Sequence, residues 1–155
     1  MDINQVIAQI KARPNDSTIC PGVPESTLGW FERQMRIVMP DDFKIFYRFC
    51  NGFESAEDAL RIIPLDEIVR SKFKQQRSGL GGKRFYFAEY MQYSDMWSIE
   101  MDTSQNENYT IFCPTRNGEQ SVLTHSFADF LNCFLAKGVF GDSGLYDWGD
   151  AVAQE

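Results

Sequence analysis

The segment 39–53, MPDDFKIFYRFCNGF, specifies a helix together with both of its ends. Pro40 suits the first helical position because its missing N–H would have no partner there, and the two aspartates that follow lie beside the positive end of the helix dipole. One apolar face recurs at helical spacing and consists of Phe43, Phe46, Tyr47 and Cys50. Gly52 ends the pattern, because glycine readily adopts the left-handed conformation that stops a helix. The segment therefore predicts a short amphipathic helix packed on a core.

Length and charge restrict the class of protein. A chain of 155 residues with 43% hydrophobic and 24% charged residues can fold as a single globular domain over 1–155. Its net charge of −7 and pI near 4.7 disfavour direct binding to nucleic acid, which requires a basic surface. Where the negative charges cluster, an acidic surface suits a basic protein partner.

The N-terminal segment 1–5 has neither a basic region nor an apolar run, and no apolar stretch of the chain approaches the ~20 residues that cross a membrane. We therefore expect a cytoplasmic protein with no signal peptide and no membrane association. The four cysteines are widely spaced and are expected to be free thiols. They are Cys20, Cys50, Cys113 and Cys133.

Periodicity predicts the remaining elements. A first helix is capped by Asp2 and ends before Pro14, the stretch 15–22 is an irregular connection, and a second helix begins near Pro24. Strands are predicted at 60–64, 84–88, 95–102, 109–113 and 120–123, followed by a helix from Ser126. Residues 139–155 receive no assignment. Helices, then consecutive strands, then a last helix indicate an α+β domain with an antiparallel meander.

Several short motifs also occur in a characteristic order. They are Glu32, Met35, Met39-Pro40, Asp42-Phe43, Phe46 and Asn51-Gly52, followed by 62–68, 85–87, 95–99 and 126–131. This order resembles the SUKH superfamily, whose pattern runs glutamate, Leu-Pro-x-Asp-Tyr, a helix, Asn-Gly and a closing Ser-Phe-x-x-Phe-Leu helix. Met39 replaces the usual Leu and Phe43 the usual Tyr, and both changes conserve packing. The resemblance covers residues 25–136, most of the chain.

The SUKH superfamily includes the yeast cell-wall-synthesis regulator and many bacterial immunity proteins. The resemblance implies a curled antiparallel sheet with N-terminal helices and a C-terminal helix packed on it, no enzymatic activity and no cofactor. Bacterial members are typically cytosolic proteins that neutralise a cognate toxin, often a nuclease, and eukaryotic members are interaction modules. The resemblance therefore implies a protein-binding domain. Its leading interpretation is an immunity protein whose partner is a basic toxin domain. A regulatory or scaffold module with a non-toxin partner is the alternative.

Two acidic clusters are candidate partner-binding residues. The first follows the 39–53 helix and consists of Glu54, Glu57 and Asp58. The second consists of Asp95, Glu100 and Asp102. Alternation along the strand 95–102 predicts Trp97, Ile99 and Met101 on the core face and Ser98, Glu100 and Asp102 on the water face. If the clusters adjoin, they form an electronegative patch that attracts a basic partner, and otherwise each is a solvated surface.

Trp148 is a further candidate partner-binding residue, because it lies between Asp147 and Asp150 in the unassigned tail. Tryptophan is enriched among the residues that dominate interface energies, so Trp148 is a candidate exposed anchor. C-terminal segments also dock onto their own domain, and Trp148 is equally compatible with folding back to cover the core.

Catalytic and metal sites have weaker support. His125 is the only histidine and Cys113 lies near it in sequence, so the pair is a formal nucleophile and base. The family pattern places both residues in a strand and a connection that lead into a structural helix. No C-x₂₋₄-C pair indicates a zinc site. We expect no catalytic residues and no bound metal.

Overall fold

An antiparallel sheet with helices packed on it is described by a computed structural model for residues 2–12, 17–55, 59–71, 76–77, 83–101, 108–115 and 120–154. The helices of these residues are α1 (Ile3–Lys11), α2 (Glu25–Met35), α3 (Asp41–Phe49), α4 (Leu65–Arg70), α5 (Phe127–Lys137) and α6 (Leu145–Ala153). The strands are β1 (Ser17–Pro21), β2 (Cys50–Ser55), β3 (Leu60–Ile62), β4 (Gln76–Arg77), β5 (Lys83–Tyr90), β6 (Asp95–Met101), β7 (Tyr109–Pro114) and β8 (Gln120–Thr124). The sheet order is β1-β2-β3-β5-β6-β7-β8, with β4 beside β5. The α+β class and the antiparallel meander are confirmed.

The core is rich in aromatic rings. The ring centroid of Phe127 in α5 lies 4.4 Å from that of Phe43, 5.1 Å from that of Phe46 and 5.7 Å from that of Phe87. Trp97 is fully buried, as alternation predicted. These contacts join α3 and α5 to the sheet. Burial of each such side chain stabilises the fold by roughly 1.5–3 kcal/mol.

Hydrogen bonds explain why the short motifs are structural. Glu32 Oε2 accepts from the N–H of Met39 at 2.8 Å and so fixes the connection between α2 and α3. The Tyr109 hydroxyl donates to Asp42 Oδ2 at 2.5 Å and accepts from the N–H of Phe127 at 2.7 Å. One hydroxyl group therefore links α3, β7 and the first turn of α5.

Asn51 and Gly52 do not end α3 as the sequence predicted. The helix ends at Phe49 and the chain continues directly into β2, where Gly52 has a φ of 87°. Asn51 Oδ1 accepts from the N–H of Leu65 at 2.9 Å, which satisfies a donor that the first turn of α4 leaves unpaired. A Cβ atom on residue 52 would lie 2.3 Å from the Ile62 carbonyl oxygen. The pair therefore serves the junction of β2, β3 and α4.

Two segments are regular where the sequence predicted no element. Most of the stretch 15–22 forms β1, which pairs with β2, so the prediction of an irregular connection is wrong there. Hydrogen bonding to β2 outweighs the local turn signals. Pro21 is the last residue of β1, where its missing N–H is tolerated. The tail 139–155 contains α6, which is entered through a turn in which the N–H of Leu145 donates to Gly138 O at 3.0 Å.

Ser98 differs from its predicted exposure to water, because it is fully buried. It lies directly between Tyr86 and Phe112 of the neighbouring strands, and its Oγ donates to Gln120 Oε1 at 2.7 Å. Alternation placed Ser98 opposite the core correctly. The large cross-strand neighbours then cover that position.

The four cysteines are free thiols, as predicted. The helices α2 and α5 have 11 residues each, and in the described part of the chain no helix combines the length and apolar character needed to cross a bilayer.

Candidate partner-binding cleft

The hairpin turn between β5 and β6 has a strained backbone. Met91, Gln92 and Tyr93 have φ values of 45°, 54° and 66°. Because the left-handed conformation costs an L-residue ~1–2 kcal/mol, three in succession require compensating contacts. Ser94 supplies two of them, since its N–H donates to Tyr90 O at 3.0 Å and its Oγ to Met91 O at 2.7 Å. The turn is therefore held in one conformation that leaves Met91 53% exposed.

An ion network fixes the same turn. Glu89 is 5% exposed, its Oε2 accepts from the N–H of Tyr93 at 2.6 Å, and its Oε1 accepts from Arg61 Nε at 3.0 Å. Arg61 Nη1 also donates to Glu67 Oε1 at 2.8 Å, and the Tyr93 hydroxyl donates to Glu67 Oε2. The hydrogen bond from Arg61 lowers the pKa of Glu67, and burial raises the pKa of Tyr93 to about 12. The turn is thus tied to both β3 and α4.

The lowered pKa of Glu67 predicts an acid dependence of stability. A carboxyl group whose pKa falls on folding stabilises the fold above its ordinary value of 4.5, and this contribution is lost as pH falls through the folded value. We expect the free energy of unfolding to decrease in acid, and to decrease less in Glu67→Gln, which takes up no proton at this position. Urea denaturation between about pH 3 and pH 7 measures both dependences. Identical acid dependences for the two proteins would contradict the role of Glu67.

A cleft between the start of β6 and α6, here called the α6 cleft, adjoins the turn. Its volume is about 490 Å³, and its described lining residues are Asp95, Pro114, Thr115, Phe140, Tyr146, Asp147 and Asp150. The Tyr146 hydroxyl donates to Asp95 Oδ2, and Asp147 Oδ2 accepts from the N–H of Ser143 at 2.9 Å. Asp147 and Asp150 are three residues apart on a helix and share one side of it. Three carboxylates therefore line the cleft.

Aromatic side chains form a wall of the α6 cleft. Phe140 is 64% exposed, and its ring centroid lies 5.2 Å from that of Tyr90 and 5.3 Å from that of Tyr146. Tyr146 packs in turn on the buried Trp97, with 5.9 Å between centroids. Burial and the hydrogen bond to Asp95 both raise the pKa of Tyr146, so its hydroxyl remains a donor at neutral pH. Aromatic residues are enriched at protein–protein interfaces, so the exposed ring of Phe140 suits a surface that binds another protein.

Of the two predicted acidic clusters, the structure describes Glu54, Asp95 and Glu100. Glu54 lies in a row with Arg61, Glu89 and Met96 across four neighbouring strands. Asp95 precedes Met96 in β6, so its side chain points to the opposite face of the sheet. Glu54 is exposed and lines another cleft, of about 680 Å³, that the hairpin turn also lines. Glu54 and Asp95 therefore flank the turn rather than form one continuous patch.

The other predicted partner-binding residues either do not line the α6 cleft or lie outside the described residues. Glu100 lies directly opposite Arg84 of β5, and it is five residues, or about 17 Å, along β6 from Asp95. Trp148 of α6 is half-buried and packs against the core. The residues outside the described part of the chain are Glu57, Asp58 and Asp102.

The sequence did not predict a binding role for four of the lining residues, namely Phe140, Tyr146, Asp147 and Asp150. The spacing of the two aspartates is informative only once the tail is assigned to a helix. Phe140 lies in the turn before α6, and no sequence pattern distinguishes it from a core residue.

Cys113 and His125 do not form a catalytic pair. Cys113 is 1% exposed, its Sγ donates to Ser121 O at 3.5 Å, and burial raises the pKa of its thiol. His125 is exposed, and its Nδ1 lies 3.2 Å from both Tyr109 O and Thr110 Oγ1. Cys113 pairs with Ser121 of β8, and His125 lies four residues beyond Ser121 in the sequence. Within the described residues, no group of histidine, cysteine and carboxylate side chains could hold a metal ion.

Comparison with known proteins identifies the family. A search of the curated proteins finds no match to this chain. The model of the SMI1/KNR4 family (SUKH-1) matches residues 22–133, more than half of the chain. This family includes immunity proteins and regulators, is generally non-catalytic and acts through protein interactions. The chain therefore belongs to the SMI1/KNR4 family (SUKH-1).

Proposed function

We propose that this protein is a non-enzymatic, cytoplasmic immunity protein that neutralises a cognate toxin by stoichiometric binding. The observation that carries the proposal is the α6 cleft, where carboxylates lie beside the exposed ring of Phe140. Most of the described lining residues of the cleft follow residue 133, beyond the range that the family model matches. Because one fold carries different functional sites in different proteins, a surface specific to one partner is expected outside the residues that the family model matches.

The charge of the chain supports a basic partner. A nuclease toxin binds phosphate groups and therefore carries basic surface. A net charge of −7 attracts such a surface and raises the rate of encounter, and the carboxylates of the cleft add a local complement. In this mechanism the bound protein covers the basic region through which the toxin acts, and no covalent bond in either protein is made or broken.

Growth rescue tests the proposal. The protein is co-expressed with each toxin domain encoded beside its gene, and a catalytically inactive form of each toxin controls for non-specific toxicity. We expect wild-type protein to restore growth against one active toxin. Failure to restore growth against any neighbouring toxin, with the protein folded and abundant in the cell, would overturn the immunity role.

The family match equally supports a regulatory or scaffold module with a non-toxin partner, because the family includes regulators. Affinity capture from the native cell discriminates the two roles. Stoichiometric recovery of one non-toxin protein, together with absent growth rescue, would favour the regulatory role.

A further inference from the structure

We propose that the α6 cleft receives an arginine side chain from the partner protein. This inference rests on the proposed function and specifies its contact. The cleft lies between the first residue of β6, the end of β7 and the exposed side of α6, and its volume of about 490 Å³ accommodates one long side chain with its flanking backbone.

Charge complementarity selects a cation. Asp95, Asp147 and Asp150 line the cleft and make it acidic, and Asp150 also has an interaction within the chain. Asp95 accepts one hydrogen bond from Tyr146, and Asp147 accepts one from the N–H of Ser143. Each ionised carboxylate has about four acceptor positions, so both retain capacity for an incoming donor. These internal bonds also fix the carboxylates before a partner arrives, which lowers the entropic cost of binding.

The aromatic wall selects arginine over lysine. The exposed ring of Phe140 lies beside Tyr146, with 32° between the ring planes, and leaves a flat apolar surface next to the carboxylates. A guanidinium group is planar and weakly hydrated, so it stacks on an aromatic face while it donates two parallel hydrogen bonds to a carboxylate. An ammonium group is compact and strongly hydrated, and it cannot make both contacts in this way.

The cleft lies mostly outside the part of the chain that the family model matches. Phe140, Tyr146, Asp147 and Asp150 all follow residue 133, where the family match ends. Asp95 lies within the matched range but depends on Tyr146 for its position. The arginine contact therefore involves residues that lie mostly outside the range matched by the family model.

A titration with blocked peptides tests the cleft without any partner. The probes are acetyl-Gly-Arg-Gly-amide and acetyl-Gly-Lys-Gly-amide, added to the isotope-labelled full chain and followed by amide NMR shifts. We expect the arginine peptide to shift residues 95, 140 and 146–150 and to bind at least about fivefold more tightly than the lysine peptide. Asp147→Asn with Asp150→Asn should abolish these shifts, and Asp41→Asn, an exposed aspartate of α3 that does not line the cleft, should preserve them. No shifts at the cleft, or equal affinity for both peptides, would overturn the inference.

The toxin identified by growth rescue provides the second test. Reversal of charge in Asp147→Lys with Asp150→Lys should weaken toxin binding by about 100-fold or more, whereas Asp41→Lys should change it by less than about fivefold. Melting temperatures of the variants verify that each one folds. Equal affinity of wild type and the double reversal would overturn the arginine contact and retain immunity. Absence of any toxin that binds wild type would overturn the proposed function, and the peptide titration would still decide the chemistry of the cleft.

Discussion

Arg61→Met should lower the free energy of unfolding by about 3–5 kcal/mol. The carboxylate of Glu89 is 5% exposed, and Arg61 Nε is the described cationic group that bonds to it. The substitution fills much of the same volume but leaves a buried negative charge without a counter-ion. It also removes the donors that hold Glu67 near the hairpin turn. Urea denaturation followed by circular dichroism measures the loss.

Two controls separate the buried charge from the loss of any surface cation. Adding Glu89→Gln to Arg61→Met should recover about half or more of the lost stability, because a neutral amide is much less costly to bury than a carboxylate. Arg70→Met breaks an ion pair in which the Arg70 side chain is 74% exposed and the Asp66 side chain 50% exposed. This substitution should lower the free energy of unfolding by less than about 1 kcal/mol. If Arg61→Met costs no more than Arg70→Met, the buried network does not hold the turn.

Gly52→Ala should cost about 3 kcal/mol or more, because two penalties occur at one position. The φ of 87° lies in a region that L-residues rarely adopt. A Cβ atom would also lie 2.3 Å from the carbonyl oxygen of Ile62, a backbone atom that cannot move without disturbing β3. The expected readout is a lower urea midpoint and a lower melting temperature.

Gly29→Ala is the matched control for that substitution. Gly29 lies within α2, and its added Cβ would meet only the end of the flexible Arg33 side chain, at 3.3 Å. Alanine is favoured over glycine inside a helix, so this variant should gain about 0.5–1 kcal/mol. Similar losses in both variants would show that general sensitivity to alanine, rather than the backbone at residue 52, explains the result.

Local pattern predicted the helices and central strands because their periodicity and their burial agree. In α3, the residues Phe43, Phe46 and Tyr47 were recognised by spacing and are all fully buried. The strand β1 was missed because its stability comes from pairing with β2, which is distant in sequence. The roles of Asn51 and Gly52 were misassigned for the same reason, since their contacts are to Leu65 and to Ile62.

The candidate site was partly accessible from the sequence. Asp95 was predicted as a site residue, and the aspartates on either side of Trp148 were noted in the sequence. That these carboxylates line one cleft depends on the turn that brings α6 beside β6. The two acidic clusters could not be placed relative to each other, because a difference of one residue along a strand moves a side chain to the opposite face. Asp95 and Glu54 lie on opposite faces for this reason.

We propose that this protein acts by stoichiometric binding and not by catalysis. The most direct test adds increasing amounts of the purified protein to a fixed concentration of the purified toxin that it protects against and measures toxin activity. We expect a linear decrease that reaches zero at one equivalent, with activity restored when the complex is dissociated. Loss of activity at a small fraction of one equivalent, or loss that persists after dissociation, would contradict it, because either result requires the protein to modify the toxin.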